Sequence, residues 1–211
     1  MSVKKDTYKI QAQTIIKNLA CRNMEGFYCD TKEDAVKKAL EIMEKGSVIA
    51  WGGSESIKEC GLMEAISDGN YELIDRTKAV TPDEQRKMYA SIVMSDYYLM
   101  STNAITLDGE LVNIDGNGNR VAALIHGPAH VLIIAGMNKV TADVESGYKR
   151  VKEAACPPNA VRLKKEIPCA LTGRCADCLA PQCFCNQIVV TRRSGHEGRI
   201  KVILVGEELG Y

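Results

Sequence analysis

Apolar residues near the start of the chain recur with the period of an α-helix. Five of them fall on one side of such a helix: Tyr8, Ala12, Ile15, Ile16 and Leu19. A second helix is predicted after Thr31, because Asp34 stands at capping-box distance and apolar residues from Ala35 to Met43 share one face. Both helices therefore have a side that must be buried.

Short apolar strands alternate with helices along the rest of the chain. Strands are predicted at 47–50, 71–74, 97–100, 131–135, 187–190 and 201–205. After the first of these, Ser56 and Glu59 have capping-box spacing, and Thr81 with Pro82 opens a further helix. A helix over 141–155 is predicted to end at Cys156, where two prolines follow.

The middle of the chain departs from this alternation. Turn signals at Asp108-Gly109 and at 115–119 enclose the segment ELVNI, which predicts an inserted antiparallel hairpin. The fold class is therefore α/β: a mixed, mainly parallel sheet flanked by helices, with a Cys-rich C-terminal appendage. We expect one domain over residues 1–211, with the Cys-rich segment at 156–186.

The composition of the chain argues against several classes of partner. The 211 residues carry 27 basic and 27 acidic side chains, so no overall field attracts a nucleic-acid backbone. The longest apolar runs, 131–135 and 202–205, are the length of strands, so we expect no membrane span. No apolar stretch follows the N-terminal charges, which predicts a cytoplasmic protein.

Cysteine placement is the sharpest chemical feature. Five of the nine cysteines fall within the 17 residues from Cys169 to Cys185, spaced C-x5-C-x2-C-x4-C-x-C. Five thiols exceed by one the ligands that a tetrahedral Zn²⁺ or a [4Fe-4S] cluster needs, and the spacing favours neither. The alternative is a set of reduced, partly buried thiols without a metal.

A candidate ligand site lies at predicted strand ends. Gly52, Gly53 and Ser54 leave a buried strand and open a helix, where backbone N–H groups bind phosphate or carboxylate. Two further pairs should emerge at the same edge of the sheet: Thr102 with Asn103, and Asn138 with Lys139. A small anionic metabolite is the expected ligand, and the alternative for the glycines is a plain turn.

Acid-base candidates are weaker. Four polar residues of the middle segment could supply a general base but equally suit a turn or strand face: Asp108, Glu110, Asn113 and Asp115. No catalytic residue is assigned from the sequence.

Several segments together resemble the LUD-domain family, the lactate-utilisation proteins of the LutC/YkgG type, and especially its short bacterial members. The matching stretches are VIAWGGSESIKECGL (48–62), STNAITLDGELVNIDGNGNRVAALIHGP (101–128), AGMNKV (135–140), ACPPNAVRL (155–163) and PCALTGRCADC (168–178). The resemblance implies a fold of the NagB/RpiA/CoA-transferase-like superfamily. It also implies a metal ligand set of Cys169, Cys175, Cys178 and Cys185, with Cys183 as the extra thiol.

Three functions remain open at this point. The first is a metal- or iron-sulfur-binding accessory component of a redox pathway such as lactate utilisation. The second is an enzyme acting on a phosphorylated or acyl-CoA-type metabolite, and the third is a ligand-sensing protein with structural zinc. Residues 149–201 carry 11 basic side chains against 4 acidic ones, which favours an acidic redox partner protein. The sequence leaves the oligomeric state open.

Overall fold

The computed structural model describes residues 2–211. Its strands are β1 (Glu25–Cys29), β2 (Val48–Trp51), β3 (Glu72–Ile74), β4 (Tyr97–Met100), β5 (Ala104–Thr106), β6 (Leu111–Asp115), β7 (His130–Gly136), β8 (Val140–Thr141), β9 (Gln187–Thr191) and β10 (Ile200–Val205). Its α-helices are α1 (Val3–Cys21), α2 (Lys32–Ile42), α3 (Glu55–Glu59), α4 (Leu62–Ile66), α5 (Pro82–Val93), α6 (Asn119–Ile125), α7 (Val144–Arg150), α8 (Cys156–Arg162) and α9 (Pro168–Thr172). Helix and strand alternate through most of the chain, as predicted.

Six strands form a wholly parallel sheet in the order β1-β10-β7-β4-β2-β3. Four others form a second sheet in the order β8-β5-β6-β9, in which β6 is antiparallel to both neighbours. The predicted hairpin is the β5–β6 pair, and Gly109 makes its turn with φ +86°. The mainly parallel α/β fold is thus confirmed, with the antiparallel strands gathered in their own sheet.

Side chains of the large sheet alternate between two cores. Along β7, Val131 and Ile133 pack on the side covered by α1, α5 and α6, whereas Leu132 and Ile134 pack on the side covered by α2, α3 and α4. All four are fully buried. A strand buried on both faces has a continuous run of apolar residues, which is why β7 could be predicted from the sequence.

Two local predictions are wrong. The helix after β2 is capped by Ser54, whose hydroxyl accepts from the Ile57 N–H, so the cap lies two residues before the predicted Ser56 and the helix begins at Glu55. The turn at Gly52 and Gly53 is short, which places Ser56 inside the helix.

The prolines after Cys156 do not end the helical segment. Five residues in π-helical conformation (Val151–Ala155) join α7 directly to α8, and Pro157 and Pro158 occupy the first turn of α8. Proline is tolerated in a first turn because the N–H it lacks is not needed there. The consequence is that Cys156 begins a helix that faces the second sheet.

No helix in residues 2–211 is long and apolar enough to cross a membrane.

Candidate functional site

A cavity of about 420 Å³ opens at the carboxyl ends of the parallel strands. Four of its polar side chains follow directly on these strands: Ser54 after β2, Arg76 after β3, Ser101 after β4 and Lys139 after β7. The segment after β10 closes it with Gly210 and Tyr211. Open α/β sheets bind ligands at this edge, because the connecting loops there converge.

Elements outside the large sheet complete the walls. The turn after β6 and the start of α6 contribute residues 115–117, 119 and 120, and the segment from the π-helical residues through α8 contributes Cys156, Asn159 and Arg162. Phe184, in the Cys-rich segment, also lines the cavity. The cavity therefore lies between the large sheet and the Cys-rich part of the chain.

Basic side chains outnumber carboxylates in the lining. The basic ones are Arg76, Arg120, Lys139, Arg162 and Lys165, and the carboxylates are Glu55 and Asp115. Both carboxylates are paired: Arg162 lies 3.3 Å from Glu55 and Arg120 lies 3.5 Å from Asp115. Among residues 2–211, no carboxylate forms an ion pair with the other three cations. The cavity consequently carries excess positive charge.

Lys139 is the most unusual of these cations. It is only 3% exposed, and its Nζ donates to Ser56 Oγ at 2.8 Å and to Ser101 Oγ at 3.1 Å. Burial above all, together with the neighbouring charges of Arg150 and Arg120, lowers the pKa of Lys139 to about 7, and Glu59 opposes this shift only weakly. An amine whose pKa is near neutrality can act as acid or base.

Arg120 is held by a network rather than by one partner. Its guanidinium donates to Asn103 Oδ1 at 2.9 Å and to the carbonyl oxygen of Ile114 at 2.7 Å, besides pairing with Asp115. Asn113 Oδ1 accepts from it as well, while Asn113 Nδ2 has no hydrogen-bond partner among the described residues. Because the network saturates its donors, Arg120 fixes the cavity wall.

The structure brings together most of the residues predicted to bind a ligand. Gly53, Ser54, Thr102, Asn103 and Lys139 line the cavity. Gly52 and Asn138 lie outside the lining. Gly52 is buried against Tyr98, and Asn138 bonds to the backbone of Leu209 and Gly210, holding the segment after β10.

The side chains of Thr102 and Asn103 have partners within the protein. Thr102 donates to the Ala104 carbonyl at 2.8 Å, and Asn103 Oδ1 accepts from Arg120 and from the Ile114 N–H. Their contribution to the site is thus to shape it and to hold Arg120.

Six thiols lie on α8, on α9 and in residues 173–186, and we call them the thiol cluster: Cys156, Cys169, Cys175, Cys178, Cys183 and Cys185. Cys156 Sγ and Cys185 Sγ are 3.5 Å apart. This contact, followed by burial, raises the pKa of the Cys185 thiol, and burial raises the pKa of Cys183, which contacts the Cys178 thiol.

Thiolates are ligands that suit Zn²⁺ and iron-sulfur clusters. Within residues 2–211, however, no three or more His, Cys, Asp or Glu side chains are grouped so as to hold a metal ion. The thiols of the cluster are therefore suitable metal ligands by their chemistry. In their arrangement, however, they contact one another in pairs rather than around a common centre.

Sequence reasoning missed several residues that make the site. The sequence predicts Ser56 as a helix cap, includes Ser101 only in the stretch 101–128 that resembles the family, and gives Cys156 no place in the ligand set. Neither Arg120 nor Arg150 belongs to a motif that would single it out in the sequence. Only Ser101 could have been found, since it immediately follows a buried strand as Thr102 does.

These features define an α/β protein with a parallel sheet and a basic cavity at its strand ends. The LUD domain family model matches residues 12–205, and the chain belongs to this family. It is also similar to the crystal structure, at 1.70 Å resolution, of a DUF162 family protein from Deinococcus radiodurans. That match has a TM-score of 0.51 and 17% identity and covers 97% of this chain and 99% of that chain, which shows a shared fold. No curated protein matches this chain.

Proposed function

We propose that this LUD-domain protein binds a small anionic metabolite, carrying a carboxylate or phosphate, in the cavity at the strand ends. The observation that carries the proposal is Lys139: a buried amine whose hydrogen-bond partners are two serine hydroxyls and whose nearest charges include two arginines. A buried cation without an opposite charge is costly. An anionic ligand would supply that charge.

The cavity also has the size and access for such a ligand. Its volume of about 420 Å³ lies in the range of roughly 300–1,000 Å³ common for small-molecule sites. Arg76 and Lys165 stand in its lining without a carboxylate partner among residues 2–211, so they would attract an anion from solvent.

Titration with sodium acetate and sodium sulfate, followed by amide NMR shifts, tests this proposal. We expect saturable shifts at Ser54, Ser101 and Lys139. The Lys139→Met variant should lose them, whereas Lys149→Met, which removes an exposed lysine paired with Glu145, should keep them. Shifts that map elsewhere, or that persist in Lys139→Met, would contradict the proposal.

We further propose that the protein is a metal- or iron-sulfur-binding accessory component of a redox pathway, such as the lactate utilisation with which the resembling proteins are associated. The specific support is the gathering of the thiol cluster, in which Cys156 touches Cys185 across 29 positions of sequence. Cys169, Cys175, Cys178 and Cys185 would be the ligands, and the bound group would supply electron transfer if it were [4Fe-4S] or structural support if it were Zn²⁺.

Anaerobic purification with elemental analysis and an absorbance spectrum tests the metal. We expect zinc or iron in the wild type, loss of it in Cys178→Ser, and retention in Cys183→Ser. Cys21→Ser is the matched control, because Cys21 is an exposed thiol at the end of α1. A wild type that carries neither metal would refute this second proposal and leave the first standing.

The basic segment 149–201 supports an acidic redox protein as partner. Several of its charges have other uses, since Arg150 donates to backbone carbonyls beside the cavity and Arg199 donates to the carbonyls of residues 123, 124 and 128. Arg192 and Arg193 are exposed. Capture of a partner that weakens with salt, and weakens again in an Arg192→Glu/Arg193→Glu variant, would support this association.

A further inference from the structure

Two serines share the buried Lys139 amine in the floor of the cavity. Ser56 comes from α3 and Ser101 from the end of β4, so separate parts of the chain converge on one nitrogen atom. Both serines line the cavity, with Ser56 1% and Ser101 7% exposed. The two hydroxyls solvate the lysine, and each is also a potential nucleophile.

The hydrogen bonds distinguish the two serines. Ser56 Oγ donates its proton to the Leu209 carbonyl oxygen at 3.1 Å, so toward Lys139 it can only accept. Ser101 has a weaker alternative acceptor, the carbonyl oxygen of the adjacent Thr102 at 3.3 Å. The Ser101 proton is therefore the one that can turn to Lys139.

A neutral amine offers two N–H donors and one lone pair. If Ser56 takes one N–H, the amine is fixed in orientation and its lone pair can accept the Ser101 proton. The Leu209 carbonyl is itself held in place, since Asn138 Oδ1 accepts from the Leu209 N–H. This chain of contacts gives Asn138 and Ser56 positioning roles.

We propose that Ser101 and Lys139 form a nucleophile–base dyad that cleaves an ester or thioester of a small anionic acid, whose own anionic group is held away from Lys139 by Arg76 and Lys165 of the same cavity. Ser101 Oγ attacks the acyl carbon while Lys139 Nζ takes the hydroxyl proton. The bond to the leaving oxygen or sulfur then breaks, and Lys139 returns the proton to that atom. Water, deprotonated by Lys139 in the same way, cleaves the acyl-serine to free acid and serine. The net reaction is hydrolysis and needs no further reactant.

The anionic part of the substrate rests on the function proposed above, whereas the dyad does not. Burial opposes protonation of Lys139 most strongly, the charges of Arg150 and Arg120 oppose it as well, and Glu59 favours it. Their sum keeps the amine available as a base near neutral pH.

A neutral alkyl fluorophosphonate, which phosphonylates nucleophilic serines, tests the dyad on the intact protein. We expect one adduct, mapped by peptide mass spectrometry to Ser101, whose rate of formation rises with pH around neutrality. Ser101→Ala should give no adduct. Lys139→Met and Lys139→Arg should slow labelling at least about a hundredfold, because methionine has no basic nitrogen and arginine stays protonated.

The controls separate the dyad from structure and from anion binding. Lys149→Met should label at the wild-type rate. Ser56→Ala should still label at Ser101 but with a lower pH midpoint, because the ammonium form loses an acceptor. Absence of labelling at Ser101, or an equal rate in Lys139→Arg, would overturn the proposal. Acetate-induced NMR shifts that survive in the Ser101→Ala variant would show that anion binding stands independently.

Discussion

The buried Lys139 should make folding stability depend on pH in a way that one substitution removes. In the unfolded chain its pKa is 10.5, and in the folded protein it is about 7. Above pH 10.5 the amine is neutral in both states, so its burial does not lower the free energy of unfolding. As pH falls from 10.5 to 7, the unfolded chain takes up a proton that the folded protein does not, so stability is lost over that window and the loss is complete below it.

The size of the effect follows from the two pKa values. One pH unit corresponds to about 1.4 kcal/mol, so the full window from 10.5 to about 7 amounts to about 5 kcal/mol. Between pH 7 and pH 9 the stability of the wild type should rise by about 2 kcal/mol relative to a Lys139→Met variant, which has no charge at any pH. At pH 6 the variant should be the more stable protein, because methionine packs without a desolvation cost.

Urea unfolding of both proteins at several pH values, in buffers free of carboxylate and phosphate, measures this difference. Using the variant as reference cancels the titration of every other group. Lys149→Met is the control: hydrogen bonding to Glu145 raises the pKa of Lys149, so its removal cannot reproduce the trend. A stability difference that stays constant from pH 6 to pH 9.5 would refute the reasoning and show that Lys139 remains charged in the fold.

Four substitutions test the parts of the fold that support the site, each by urea unfolding. Arg120→Met should cost about 3 kcal/mol, because it leaves the buried carboxylate of Asp115 without its ion pair, whereas Arg162→Met should cost less than about 1 kcal/mol, as its ion pair with Glu55 is partly exposed to solvent. Gly109→Ala should cost about 1–2 kcal/mol, since φ is +86° there and the added methyl group would meet the backbone of α1 at 3.1 Å. Thr81→Ala should cost about 1 kcal/mol, because it removes the cap of α5. Equal losses for the two arginine variants, or none for the glycine or threonine variant, would contradict these assignments.

The elements were predictable where burial imposes a simple period. The strand β7 is apolar on both faces, and α1 repeats its buried residues every three or four positions, so both patterns are local. The continuation of the helix past Cys156 was not predictable, because the chain avoids the cost of two prolines by a π-turn that only tertiary packing selects.

The sequence could predict which residues lie near the cavity, but not which of their side chains contact one another. The rule that parallel strands present their carboxyl ends at one edge brought Ser54, Asn103 and Lys139 together before any coordinates were known. It could not show that Lys139 is buried between two serines, since Ser56 was predicted to cap α3 and instead lies inside its first turn. Nor could it show the contact of Cys156 with Cys185, which depends on how α8 packs.

Anion binding in the cavity should draw a proton from solvent, and this links the chemistry of Lys139 to ligand recognition. At pH 8 an amine with a pKa of about 7 is mostly neutral, and an anion beside it stabilises the charged form, so binding should take up as much as about 0.9 proton per site. Calorimetry of sodium sulfate binding in two buffers of different ionisation enthalpy measures the uptake, because neither sulfate nor its binding partner arginines titrate near this pH. Affinity should fall by up to about tenfold per pH unit above 7. In Ser101→Ala the uptake should persist, since the anion and not the hydroxyl supplies the charge. Binding with no proton uptake would mean that the ligand is held by Arg76 and Lys165 at the mouth and never reaches Lys139.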